Sequence, residues 1–382
     1  MKNLRVLVFS ASFGAGHVRA ADAAIEALRN KEPNIEITHL DFGAFLSKTF
    51  NKVIKNTYIE LIKHSPKLWG KFYHRTSKIA PDSVLQRFLN KLGRTEFVKY
   101  IHTLQPDLII CTYPTVAGVL AELRLKQVLA IPLVTVVTDF AVHSQWIHYG
   151  VDLYIVGCDD VYQGLVKRGI EPDRIRVTGI PISPKFESRL NRSDVLAKLE
   201  LDPKLPIILV MGGAYGVLGG AKEVCKILAE STDPVQSIVV CGRDEKLFKS
   251  LDDITKDAQY KFLRFGFIRN VEELMTAADI IITKAGGLTV SEALTKQLPL
   301  VIFKPIPGQE EENANFIRRL GAGKVANTQE ELEQVLRALI SQPDLLANMR
   351  RAAEQALPGR AAEQAVEYML DLVNAEGNQK IG

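Results

Sequence analysis

The sequence predicts an α/β protein of two domains, and three observations carry that reading. Apolar, β-branched runs that end in glycine loops and pass into helix-forming stretches occur in both halves, at Leu4–Ser10 and again at Ile207–Met211 and Ile280–Ile282. At 382 residues, 47% of them hydrophobic, the chain is long enough for two cores of ordinary size. A stretch rich in proline and small residues, Thr178 to Phe186, separates the two α/β runs and places the boundary just after it.

Composition narrows the class further. The four cysteines, Cys111, Cys158, Cys225 and Cys241, are far apart and lack metal-ligand spacing, which fits a reducing cytosol. Leu4 to Phe9 is too short for a signal-peptide core, and no stretch reaches the roughly eighteen apolar residues of a membrane span. Any membrane contact is therefore expected to be peripheral.

In the first half, Leu4 to Ser10 reads as a strand, residues 12–17 as a glycine loop containing Gly14 and Gly16, and Val18 to Leu28 as a helix. A dinucleotide site is the first rival, with G-x-G present and Asp41 placed for a ribose contact. Arg19, however, stands where the third glycine belongs. His17 enters the helix at its start, where the dipole lowers its proton affinity and keeps it neutral, able to act as a base near pH 7. The alternative is a histidine that only caps the loop.

From Ser47 to Thr103 the texture changes. Twelve Lys and Arg face three acids, an excess of +9 that leaves the rest of a +4 chain at −5. On a helix, Phe50, Val53, Ile54, Tyr58 and Leu61 gather on one side and Lys48, Lys52, Lys55 and Lys63 on the other. Trp69, Phe72 and Tyr73 follow among further basic residues. That composition suits an anionic lipid surface, against the plainer reading of a solvated helix face; no nucleic-acid recognition motif accompanies it.

Pro106 to Tyr113 and Ile131 to Thr138 read as buried strands, the second ending in Asp139 at the carboxyl end, where α/β sheets place ligands. Asp139 has three open roles: to orient His17, to be the base itself, or to cap the next turn. Val151 to Val156 is a further strand, and Asp159 and Asp160 read as caps of the helix after it.

In the second half, Ile207–Met211 feeds the glycine loop Gly212-Gly213, and a helix containing Glu223 follows. Val235 to Cys241 is a strand, and the run Arg264 to Ile268 precedes a helix starting near Asn270. Gly286-Gly287 ends the strand at Ile280–Ile282, with Thr289 or Ser291 capping the next helix; paired glycines before a helix start suit an anion such as a phosphate. Glu292, one turn in, is placed to accept two hydrogen bonds from a ribose diol, or is simply a first-turn acid. Leu300 to Phe303 is the next strand, releasing a loop stiffened by Pro305 and Pro307 on which Gln309 and Glu310 suit sugar hydroxyls.

The block GG-x-T-x-x-E-A, with PGQEEEN about twenty residues on, resembles the sugar-nucleotide half of the processive diacylglycerol glucosyltransferases of bacteria and the monogalactosyldiacylglycerol synthases of plants. The resemblance covers nearly the whole chain, since SASFGAGH, VTDFAVHSQWIH, TGIPISPKF and MGGAYGVLGG occur in the family's order. It implies a GT-B fold, two Rossmann-like domains facing across a cleft. Residues 1–186 would bind the acceptor, 187–365 the UDP-sugar, and 366–382 would form a C-terminal helix and tail crossing back to the first domain. It implies that His17 carries the base, that Asp139 and His143 lie in the acceptor segment, and that the backbone at Phe267 and Ile268 holds the uracil ring; the glycine loop with Gly213 suits the diphosphate from the side opposite Gly286-Gly287. The expected activity is inverting, metal-independent transfer of glucose or galactose from a UDP-sugar to diacylglycerol at the cytosolic membrane face. No cofactor is expected, and the oligomeric state stays open. Rival readings within the same fold are a peptidoglycan-precursor-type UDP-GlcNAc transferase and a UDP-sugar epimerase; outside enzymes, a non-catalytic UDP-sugar sensor.

Overall fold

The computed structural model describes residues 3–12, 15–45, 65–77, 83, 94–212, 220–256, 258–357 and 359–379. Contacts divide the chain into two compact units: residues 1–184 with 307–309 and 358–382, and residues 185–306 with 310–357.

The first unit is built on a parallel sheet of β1 (Arg5–Ser10), β2 (Glu36–Asp41), β3 (Leu108–Cys111), β4 (Leu133–Val136), β5 (Leu153–Val156) and β6 (Ile175–Val177), in the order β2-β1-β3-β4-β5-β6. Strands β3, β4 and β5 are buried along their whole length, which is why they read as continuous apolar runs. The described helices between them are α1 (Ala15–Lys31), α2 (Pro66–Thr76), α3 (Arg94–Leu104), α4 (Pro114–Leu125) and α5 (Asp159–Val166). In α1 the buried residues are Ala20, Ala21, Ala23, Ala24, Ile25, Ala27 and Leu28, a mostly methyl-sized face that suits close packing on a sheet, and Arg29 and Lys31 complement its C-terminal dipole. The strand order reverses between β1 and β3, the switch point beyond whose strand ends open α/β sheets take ligands.

The second unit repeats the plan. Strands β7 (Ile207–Met211), β8 (Gln236–Val240), β9 (Phe262–Phe265), β10 (Ile280–Thr283), β11 (Leu300–Phe303) and β12 (Gly323–Ala326) lie parallel in the order β12-β11-β10-β7-β8-β9. Its described helices are α6 (Arg192–Leu199), α7 (Ala221–Ala229), α8 (Glu245–Ser250), α9 (Asp252–Thr255), α10 (Val271–Ala277), α11 (Gly287–Thr295), α12 (Gln309–Leu320, of which Gln309 counts with the first unit), α13 (Gln329–Ser341) and α14 (Pro343–Glu354). Here the reversal falls between β7 and β10, with Ile282 opposite Val210 and Thr283 opposite Met211. The two glycine pairs of the sequence follow these two strands.

The last helix, α15 (Ala361–Gln379), belongs to the first unit. Ala362, Ala365, Val366 and Met369 join a core with Val6, Val8, Leu28 and Ile110, and Lys31 pairs with Glu367 at 3.1 Å. The helix carrying His17 is thus braced by the end of the chain.

Several local expectations are corrected. Gln309 and Glu310 do not lie on an open loop but open α12, whose first turn also holds Glu311 and Glu312 against the positive helix end. Gly286, not Thr289 or Ser291, is the N-cap of α11; both hydroxyl residues sit inside the helix, and Ser291 Oγ donates to Gly287 O at 3.0 Å. Cys158 occupies the N-cap of α5, with Asp159 and Asp160 in its first turn. The predicted amphipathic helix with Lys48, Lys52 and Lys55, and the loop residues Gly14 and Gly213, lie outside the described residues.

Candidate active site

In the first unit, side chains converge on the carboxyl ends of β1, β3 and β4. His17 is half-buried in the first turn of α1, with Gly16 just before it. Its Nδ1 lies 2.6 Å from Thr112 O and 3.1 Å from Thr138 Oγ1. A carbonyl only accepts, so Nδ1 carries the proton and Nε2 holds a lone pair. Burial lowers the His17 pKa to about 4, with the Thr112 hydrogen bond opposing, so the ring is neutral at pH 7. Tyr113 stands edge-on at 5.2 Å between ring centroids and Trp146 at 6.2 Å.

Asp139 is 6% exposed and its Oδ2 accepts from Trp146 Nε1 at 3.2 Å. Burial pushes its pKa up to about 6, hydrogen bonds to the carboxylate opposing. Trp146 therefore touches both predicted catalytic residues. The ring nitrogen of His17 that faces the protein is held by Thr112 and Thr138.

His143 does different work. Its Nδ1 accepts from Gln145 N at 3.2 Å, so Nε2 carries the proton, lying 3.1 Å from Thr76 Oγ1 and 3.3 Å from Tyr73 O. Ser144 Oγ donates to Thr76 O at 2.6 Å. With both nitrogens engaged, His143 is a strut that ties α2 to the short turn Ser144–Trp146. On α2, Trp69 is half-buried against Phe72, while Leu68 and Phe72 are 62% and 50% exposed beside exposed Lys67, Lys71 and Arg75.

Asp41 is a clasp. Its oxygens take the Ser12 hydroxyl and the Gly43 amide, the latter at 2.7 Å, which pins the start of the loop before His17.

In the second unit, Gly286 caps α11 with φ −72°, and a Cβ built on it meets no atom within 4 Å. The backbone does not require glycine there; its effect is to leave the helix mouth open. The amides of Gly287, Leu288 and Thr289 find no carbonyl among the described residues, as at any helix start. Together they can receive an anion. Glu292 is 1% exposed, deep in the helix, and Thr289 is 7% exposed. Ile268 is half-buried just past the end of β9, next to Phe267, over whose ring the Arg243 guanidinium lies at 5.0 Å.

Glu310 lies beside α11's loop with each carboxylate oxygen already accepting one hydrogen bond. Lys284 Nζ donates to its Oε1 at 2.9 Å and Ile306 N to its Oε2 at 3.1 Å. Asn313, fully buried, donates to Ala285 O at 2.9 Å. The start of α12 is thereby latched to the turn after β10. Sequence reasoning missed Thr112, Thr138, Trp146 and Asn313 as parts of these constellations, although each falls in or beside a quoted motif.

A family model for monogalactosyldiacylglycerol synthase matches residues 17–182, and the glycosyltransferase family 28 C-terminal domain matches residues 207–365. The processive diacylglycerol β-glucosyltransferase of Bacillus subtilis strain 168 is 32% identical over 383 residues, covering 99% of both chains. Among solved structures, Acinetobacter baumannii MurG superposes with a TM-score of 0.63 at 18% identity, covering 97% of this chain and 100% of its own. The UDP co-structure of Staphylococcus aureus MnaA gives 0.63 at 14%, covering 97% of each. The expected GT-B class is found. With its full-length identity to the B. subtilis enzyme and both halves matched by the family's domains, the chain belongs to the family of processive diacylglycerol glucosyltransferases and monogalactosyldiacylglycerol synthases, and is a glycosyltransferase.

Proposed function

We propose that this enzyme moves a hexose, glucose or galactose, from a UDP-sugar to the free hydroxyl of diacylglycerol, with inversion, at the cytosolic membrane face. The observation that carries the reading is the His17 ring, whose Nδ1–H is spent on Thr112 O so that Nε2 keeps its lone pair. Asp139, buried and accepting from Trp146, is the poorer candidate for the base.

In the reaction Nε2 takes the acceptor proton as the hydroxyl oxygen bonds the anomeric carbon. The bond from that carbon to the diphosphate breaks on the opposite face, and UDP leaves with the electron pair. The open amides at the start of α11, with Gly286 and Gly287, and the Lys284 ammonium stabilise the charge that develops there without requiring a metal. Glu292 and the backbone at Ile268 are assigned to ribose and uracil. The B. subtilis relative's name supports the diacylglycerol acceptor, and UDP in the MnaA structure supports the donor class on this fold.

Helix α2 supplies the membrane contact, its exposed Leu68 and Phe72 flanked by Lys67 and Lys71. No described helix is long and apolar enough to cross a membrane. The test is incubation of the purified protein with radiolabelled UDP-glucose or UDP-galactose and vesicles containing diacylglycerol. Label should appear in a β-linked glycolipid with at least one donor. A protein that binds UDP yet labels lipid with neither would refute the acceptor assignment.

A further inference from the structure

Two threonines stand over the base at the ends of adjacent strands. Thr112 follows β3 directly and Thr138 comes two residues after β4; β3 and β4 are paired, with Cys111 opposite Thr135. Both threonines are buried, at 0% and 3% exposure. Thr112 grips His17 twice, its carbonyl accepting from the ring at 2.6 Å and its hydroxyl donating to His17 O at 2.8 Å. The Thr138 hydroxyl is a second neighbour of the same ring nitrogen at 3.1 Å.

We propose that Thr112 and Thr138 are positioning residues that fix His17 as the Nδ1–H tautomer and aim Nε2 away from the protein. The inference rests on His17 being the base. The nitrogen pointing at the acceptor-only carbonyl of Thr112 must carry the proton, since the wrong tautomer would set that carbonyl against a lone pair; once the proton is there, the Thr138 hydroxyl accepts from the same N–H and holds the ring in place. When Nε2 takes the acceptor proton, the same two oxygens share the positive charge reaching Nδ1–H. Thr112 Oγ1 also holds the main chain of His17, so the ring cannot rotate without moving the first turn of α1. Tyr113 and Trp146 flank the ring. The carboxylate of Asp139 is engaged by Trp146.

The experiment uses the full-length protein with 15N-labelled histidine, the His17 signals identified by their loss in His17→Gln. Long-range proton–nitrogen correlation near pH 7.5 should report a protonated Nδ1 and an unprotonated Nε2 on His17. Thr138→Val should cut kcat roughly tenfold, with KM for the UDP-sugar unchanged and the acid limb of the pH profile moved to lower pH; Thr138→Ser should restore both. Thr112→Val, which keeps the carbonyl, should also lower kcat at unchanged KM. A His17 signal in the Nε2–H form overturns the proposal, and so does a folded Thr138→Val with unaltered kcat and pH profile. If Thr138→Val does not fold, the tautomer of the parent protein still decides. Near-normal turnover in His17→Gln would instead refute the base assignment, an outcome separate from the tautomer reading.

Discussion

Lys284 and Glu310 are paired: the ammonium lies 2.9 Å from Oε1, with the two side chains 28% and 11% exposed. Because Glu310 also takes the Ile306 amide, its carboxylate fixes the path from β11 into α12 and the place of Lys284 at the same time. A residue that looked suited to sugar hydroxyls from its sequence neighbourhood also holds the turn that leads into α12.

Removing that carboxylate should therefore act on loop and nucleotide together. Glu310→Ala is expected to lower stability by about 1.5–3 kcal/mol, the scale of a hydrogen bond to a charged group. It should also weaken UDP and UDP-hexose binding by the same factor in calorimetry, since the change reaches the ligand through Lys284. A loss confined to the UDP-hexose, with UDP unaffected, would return Glu310 to direct hexose contact.

The position of Gly286 allows a cleaner separation of binding from folding. Its φ of −72° suits any residue and a Cβ there meets nothing within 4 Å, so Gly286→Val should leave the melting temperature within a degree or two, on the order of 0.5 kcal/mol. The branched side chain would nevertheless stand at the mouth of α11 and should weaken UDP binding by at least about tenfold, which is 1.4 kcal/mol. Unchanged UDP affinity in a normally folded variant would remove the diphosphate from this helix start.

How much of this was legible beforehand depends on the range of the interaction. The strands, the glycine loops and the helix start after β10 follow from local apolar runs and turn residues, and the sequence places His17 and Gly286 at strand ends correctly. What it could not give is which group faces which across the sheet. That Thr112, 95 positions away in the chain, holds the His17 ring depends on β3 lying beside β1, a neighbourhood created by the crossover and not by spacing. The partners of His143 were hidden for the same reason: nothing in VTDFAVHSQWIH reveals that Tyr73 and Thr76 occupy its outer nitrogen. The start of α12 was read as loop because two prolines and a glycine precede it, yet a run of three glutamates is also what a positive helix end favours.

Acid should destabilise the protein through its buried histidines. His17, His143 and His148 are each lowered from 6.5 to about 4 by burial, with backbone hydrogen bonds opposing. A depressed folded pKa means the unfolded chain binds more protons, so the stabilisation is complete above about 6.5 and is lost as pH falls through about 4. Asp139, raised from 3.8 to about 6, has the opposite sign: its contribution is present below 3.8 and lost as pH rises through 6, which blunts the net slope. Three histidines outweigh one aspartate, so the melting temperature should fall from pH 7 to pH 4.5 with net proton uptake on unfolding. His148, 5% exposed, bonded through Nε2 to Pro114 O at 3.1 Å, and outside the proposed chemistry, is the residue to test. His148→Gln should lower stability at pH 7 and flatten the acid limb by about a half, since three histidines less one aspartate leave a net of two protons and the variant removes one; an unaltered limb would mean these rings titrate normally.

The last expectation concerns how the enzyme meets its lipid. Helix α2 presents Leu68 and Phe72 to solvent at 62% and 50% exposure, with Lys67, Lys71 and Arg75 exposed beside them. A folded surface rarely leaves two large apolar side chains one turn apart on one helix unless they have a partner. The helix is also held firmly from behind, by His143 Nε2 and Ser144 Oγ on Tyr73 and Thr76. Withdrawing the two apolar side chains should cost vesicle affinity about 1.5–3 kcal/mol apiece at full insertion, and each basic residue near an anionic surface adds about 1 kcal/mol that salt will screen. Leu68→Ser with Phe72→Ser should therefore reduce sedimentation with diacylglycerol vesicles at every salt concentration. Lys67→Glu with Lys71→Glu should reduce it mainly at low salt and mainly on vesicles rich in anionic lipid. UDP binding should be unaffected in both, because the glycine-led helix start of the second unit is unchanged. Should both double variants sediment like the parent while the Lys48, Lys52 and Lys55 to Glu variant does not, the docking surface belongs to the preceding basic stretch and α2 is only its neighbour.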